Sequence, residues 1–195
     1  MNKKIKIEVS ARHIHLKKED FEKLFGEGAE LTVMKKLSQP GMFAANETVK
    51  IKNENFQINS LRIVGPLRSY VQIELSKTEA RKFKINPPLR RSGDIKNSLG
   101  IIIIGPEGEI KINEGVIIAK RHIHMTPKDA EEVNAKDGDL LKVRTEGERG
   151  LIFENVTARV DESFLLAMHL DTDEGNAVGI ERYCEGHIVK TKSSK

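Results

Sequence analysis

The chain has 195 residues, 38% of them hydrophobic and 32% charged, which places it among ordinary globular proteins able to bury one large core or two small ones. No apolar run approaches the roughly 20 residues that span a bilayer, the opening "MNKKIKIEV" has no signal-peptide segment, and the single cysteine, Cys184, excludes an internal disulfide and fits a cytoplasmic protein. The net charge is +4, read mostly as a solvated surface with a few arginines held back for an anionic small molecule; with only 5% of residues aromatic and no Trp, stacking platforms are scarce and no nucleic-acid or membrane partner is expected.

In chain order, Ile5, Ile7, Val9, Ala11, His13 and His15 share one parity, so a continuous strand would carry its apolar face into a histidine pair. A helix would turn the two imidazoles away from each other, so H-x-H forms a pair only on extended backbone. "LKKEDFEKLF" then predicts a helix with Phe21, Leu24 and Phe25 on one face, closed by the turn at Gly26 to Gly28. "TVKIKNENFQI" predicts strands. In "GPLRSYVQIELS", Arg68 and Glu74 lie six apart and would share a face of a continuing strand. Ile101 to Ile104 reads as a buried strand, and "EGVIIAK" as the strand leading to a second R-H-I-H at His122 and His124. Thr126 caps the next helix, with Pro127 at its first position and Asp129 in its first turn. "LLKVRTEGERGLIFENV" predicts further short strands, giving a mainly β chain of barrels or sandwiches capped by a few helices.

The chain is internally duplicated. Strand, H-x-H, helix, turn and strand occur twice, and a later alignment sets Glu74 beside His169 and Glu79 beside Glu174. A lone H-x-H is ordinarily an accident of surface or core. Two copies with the same neighbours, holding four of the six histidines, reverse that expectation. Imidazoles and a carboxylate suit zinc, with His13, His15 and Glu74 as one set and His122, His124 and His169 as the other. Three protein donors per ion leave a position open, as in catalytic sites. An arginine near such a set, Arg68, suits a tetrahedral oxyanion. Asp171, Asp173 and Glu174 read either as carboxylates that orient ligand histidines or as plain caps. Cys184 and His187 read as structural and surface residues. No P-loop or dinucleotide fingerprint is present.

At "VSARHIHL", "GPLRSYVQIELS", "LRRSGD", "AKRHIHMTPKDA", "GERGLIFENV" and "MHLDTDEGNA", from about Val9 to Ala177, the chain resembles the PduL-type phosphate acyltransferases, a family of phosphotransacylases. The resemblance implies two β-barrels capped by short helices, with the N-terminal strand exchanged into the C-terminal barrel. The implied division is 1–11 with 120–189 as one barrel, 12–25 with 47–119 as the other, 26–46 as a small insertion at a homodimer contact, and a 190–195 tail. It implies two divalent metals, usually zinc, on the two ligand sets, phosphate gripped by Arg68, and coenzyme A near Ala11, Arg12, Arg62 and Asn176. The implied reaction interconverts a short-chain acyl-CoA (propanoyl or acetyl) plus phosphate with acyl phosphate plus CoA, as in propanediol degradation. Val71 stands where a threonine is expected and Arg91 where an acidic residue is expected. Many members carry an extra N-terminal helix for microcompartment entry, and only "MNKKIKIE" precedes the motif here, so a free cytosolic enzyme is expected. The rival readings are a two-metal hydrolase indifferent to CoA and a non-catalytic metal or nucleic-acid binder.

Overall fold

The computed structural model describes residues 3–180 and 182–189, and the 190–195 tail lies outside them. The chain runs β1 (Lys3–Val9), β2 (His13–His15), α1 (Lys18–Phe25), β3 (Val33–Lys36), β4 (Phe43–Lys52), β5 (Gln57–Gly65), β6 (Gln72–Glu74), α2 (Lys77–Lys82), β7 (Leu89–Arg90), β8 (Leu99–Ile104) and β9 (Glu109–Ala119). It continues as β10 (His122–Met125), α3 (Pro127–Val133), β11 (Leu140–Thr145), β12 (Ile152–Val160), β13 (Ala167–Leu170), α4 (Thr172–Ala177) and β14 (Tyr183–Val189). The protein is mainly β, and it divides into two compact units. One takes the chain up to Ser10 and again from Lys120; the other is Ala11–Ala119.

The first unit is a closed barrel in the order β1-β13-β10-β12-β11-β14. In the second, β9-β6-β2-β5-β4-β8 closes through the pairing of β8 with both β4 and β9, while β3 and β7 hang on β4 and β9. The two rings are one topology. β1·β13, like β9·β6, is parallel, and β10·β12, like β2·β5, is parallel. The remaining pairs are antiparallel in both rings. In each ring the strand that stands just before the H-x-H in sequence has gone to the other ring: β1 precedes β2 yet belongs with β10, and β9 precedes β10 yet belongs with β2.

This exchange corrects the single-strand reading of Ile5 to His15. Extended pairing stops at Val9, where the Ser10 N–H donates to the Leu170 carbonyl at 2.8 Å. Ile5 and Ile7 enter the core of one unit with Ile123, Met125, Val143, Val156 and Met168. Ile14 and Leu16 enter the core of the other with Phe21, Leu24, Ile63 and Ile73. The continuing strand expected from Arg68 to Glu74 is also absent, since residues 66–71 form a loop between β5 and β6. Ile101 and Ile103 are buried while Ile102 and Ile104 are half-exposed, so that run alternates as a one-sided strand rather than being buried throughout. Gly65 sits opposite Phe43, whose ring tip would lie 2.3 Å from an added Cβ, so any larger residue there would make the ring shift. The helix after β10 starts on Thr126, whose hydroxyl and Asp129 close a reciprocal capping box.

The exchange predicts where a β1 mutation acts. Ile7→Ala removes a fully buried side chain at a cost of about 2–5 kcal/mol. Hydrogen exchange should then accelerate in β11, β12 and β14 rather than in β4 and β5, although Ile7 lies close in sequence to β2. Loss of protection in β4 and β5 instead would contradict the assignment of β1 to the first ring.

Candidate active site

Cross-strand register builds the two donor sets. In the second unit His13 lies directly opposite Glu74, and His15 opposite Gln72. In the first, His122 lies directly opposite His169. The third donor thus occupies the same station in both rings. The period of two on β2 and β10 puts both imidazoles of each pair on one face, with ring centroids 4.9 Å apart for His13 and His15 and 4.7 Å for His122 and His124.

Backbone carbonyls orient the rings. His13 Nδ1 bonds to the Ala11 carbonyl and His15 Nδ1 to the Val64 carbonyl, both at 2.9 Å. Donation from Nδ1 selects the tautomer with Nε2 as the lone-pair nitrogen, the form a metal takes. His13 Nε2 is 3.7 Å from Glu74 Oε2. Burial holds His15 well below the usual histidine range, with His13 and Arg68 adding to the effect, so it stays neutral through physiological pH. The potential donor atoms of His13, His15 and Glu74 all lie within 4.8 Å of one another, a spread a single divalent ion can draw in.

Glu74 is itself held. Its Oε1 accepts from Gln72 Nε2 at 2.7 Å and from the Ser92 hydroxyl at 2.9 Å, while Gln72 Oε1 takes the Gly93 N–H at 2.7 Å. One carboxylate oxygen is therefore fixed by a fully buried glutamine, and the other faces His13. The sequence of "LRRSGD" carries the resemblance but gives Ser92 no role of its own. The available signal was Gln72, which shares a strand face with Glu74.

In the first unit His122, His124 and His169 form a ring cluster, with His169 5.3 Å from His122 and 4.9 Å from His124 between centroids. His122 Nδ1 bonds to the Lys120 carbonyl at 2.9 Å, the same bond in the same place as in the other copy. Among the described residues, the tighter convergence of donor atoms is that of His13, His15 and Glu74. Asp171 and Glu174 cap α4 with a reciprocal box, and burial raises both carboxyls above their ordinary range. The box makes Asp171 and Glu174 helix caps, one of the two readings open for them. Gly175 carries no Cβ where one would lie 2.6 Å from Val9, so α4 can close on β1.

Arg68 reaches the first set by a different route from the one its spacing suggested. Its N–H donates to the Leu16 carbonyl at 2.8 Å, pinning the loop beside the end of β2, and Nη1 donates to Tyr70 Oη at 3.1 Å. Arg62 spends Nη1 on the carbonyls of Ala45 and Asn46 at 2.9 and 2.8 Å. Ala11 and Arg12 are exposed just ahead of β2, and Asn176 is exposed on α4 of the other unit. Among the described residues no helix is long and apolar enough to cross a membrane.

Two barrels of one topology, each with an H-x-H strand facing a third potential ligand, define a duplicated histidine-bearing β-barrel protein. The chain belongs to the phosphate propanoyltransferase family, whose profile matches residues 6–181. It is 54% identical over 170 residues to the phosphate propanoyltransferase of Thermotoga maritima, covering 87% of this chain and 81% of that one. It is 47% identical over 186 residues to that of Alkaliphilus metalliredigens, covering 95% and 88%. With that of Lachnoclostridium phytofermentans it shares 50% over 177 residues, covering 90% and 83%.

The Glu74 network carries a prediction. Losing a residue that holds a ligand in place typically weakens a metal site about 10–100-fold, so if His13, His15 and Glu74 hold zinc, Ser92→Ala should lower its affinity toward the bottom of that range in competition with a chromogenic chelator. Unchanged affinity would separate the Ser92 hydroxyl from the ligand role of Glu74.

Proposed function

We propose that this protein interconverts a short-chain acyl-CoA, propanoyl-CoA or acetyl-CoA, and inorganic phosphate with acyl phosphate and CoA. Family membership supports phosphate acyl transfer. The observation that carries the finer reading is Arg68, tied by its backbone to the end of β2 beside the paired imidazoles of His13 and His15.

His13, His15 and Glu74 would hold one divalent ion and His122, His124 and His169 a second, both of them donor sets suited to zinc. When bound, such an ion supplies Lewis-acid stabilisation of negative charge on oxygen or sulfur. Arg68 would grip phosphate through its planar guanidinium, with Tyr70 fixing the side chain's direction. An oxygen of hydrogen phosphate attacks the thioester carbonyl carbon, and a C–O bond forms as the C–S bond breaks. The proton that phosphate gives up ends on the departing CoA sulfur. No covalent enzyme intermediate is required, and the chain's contribution is orientation of the two reactants. Ala11 and Arg12, with Arg62 and Asn176, are the proposed neighbours of coenzyme A.

The reading extends to a cytoplasmic homodimer serving propanediol degradation. The 26–46 segment supports the dimer part, because it presents the edge strand β3 with Val33, Met34 and Leu37 exposed.

The test is thioester formation from CoA with propanoyl phosphate or acetyl phosphate, before and after chelation and zinc restoration. Zinc-restored thioester is the expected result; phosphate release without thioester would make the protein a hydrolase instead. Arg68→Ala should lower kcat/KM for phosphate about 10–100-fold, the roughly 1.5–3 kcal/mol of a charged hydrogen bond, with metal content unchanged. Ordinary phosphate kinetics in that variant would remove Arg68 from the phosphate site.

A further inference from the structure

We propose that Arg12 and Arg121 are positioning residues, each strapping the entrance of its H-x-H strand to the helix that follows the third donor; the proposal rests on the reading of those strands as metal-binding. Two residues after Glu74 comes Ser76, the N-cap of α2, and two after His169 comes Asp171, the N-cap of α4. The third helical position is a glutamate in both. One of its oxygens closes the capping box: Glu79 Oε2 accepts from the Ser76 N–H at 2.9 Å, and Glu174 Oε2 from the Asp171 N–H at 3.0 Å. The other oxygen, Oε1, takes the arginine that immediately precedes the histidine pair. Arg12 Nη1 reaches Glu79 at 2.7 Å, and Arg121 Nε reaches Glu174 at 3.0 Å.

The plain alternative is a pair of surface ion pairs. The arginines are 45% and 33% exposed, so the contacts add little to stability. A split carboxylate is also not special in itself, since Asp129 divides its oxygens between Thr126 and Lys3 in the same way. What the alternative leaves unaccounted for is the placement of the arginines. The carbonyls immediately before them, those of Ala11 and Lys120, are the ones that accept from Nδ1 of the first histidine in each pair. Each arginine therefore sits inside the short loop that sets its histidine's tautomer and ring direction. Holding the arginine holds that carbonyl, and with it the aim of Nε2.

Glu79→Gln and Glu174→Gln separate the strap from the cap, because a capping box accepts Gln as well as Glu while the amide cannot take the arginine's charge. Two readouts apply to the whole protein. In the metal-free form, hydrogen exchange should accelerate over 11–15 in Glu79→Gln and over 120–124 in Glu174→Gln, with α2 and α4 protection kept. In the zinc-loaded form, release to a chelator should speed up about tenfold from the set belonging to the mutated strap and not from the other. Arg121→Lys should recover part of what Arg121→Met loses. Wild-type exchange and zinc release in both Gln variants would overturn the proposal, as would loss of helix protection alone. A wild-type protein that holds no zinc would sink the metal reading of the function, and the exchange data would then decide the strap by themselves.

Discussion

The hydrogen bond from an imidazole Nδ1 to a backbone carbonyl two residues earlier is the contact on which the rest of this structure turns. It appears at His13 with Ala11 and at His122 with Lys120, at 2.9 Å each time. It forms where the chain stops being a strand just before the histidine pair, at residues 10–12 in one copy and around Lys120 in the other. With Nδ1 occupied, Nε2 is the nitrogen left to face a ligand. The cross-strand partner, Glu74 or His169, then stands opposite.

The same break is where the chain passes from one ring to the other. A chain that leaves strand geometry before each H-x-H need not keep the preceding strand in the same barrel. β1 and β9 take equivalent stations in opposite rings, each with one parallel and one antiparallel neighbour within its ring. The consequence for function is that neither histidine strand is covalently continuous with the core strand of its own ring. Its position is set by the neighbours β5 and β6, or β12 and β13, and by local contacts such as Arg12 with Glu79.

Much of this was legible in the residues. The doubled R-H-I-H, the alignment of Glu74 with His169 and the Thr126 cap all follow from periodicity and capping chemistry, and the structure places each pair at matching stations. What parity alone missed was the end of a strand. Ile5, Ile7, His13 and His15 obey one period of two across a boundary between barrels, since alternation carries no information about where pairing stops. Arg68 came to the site for a reason other than its spacing from Glu74, through a loop bond to Leu16 that no pattern encodes. The support of Glu74 by Ser92 comes from beyond α2 and β7, 18 residues along the chain, a contact that no local pattern encodes. The resemblance supplied the strand exchange, which neither composition nor periodicity contains.

Whether the ligand device works twice is read from the number of zinc ions held per chain by native mass spectrometry. Two are expected for the wild-type protein and one for either His13→Ala or His122→Ala, each variant keeping the ion of the other set. A single ion lost in His13→Ala and kept in His122→Ala would contradict that expectation, leaving His122, His124 and His169 as a structural echo of a site that works only once.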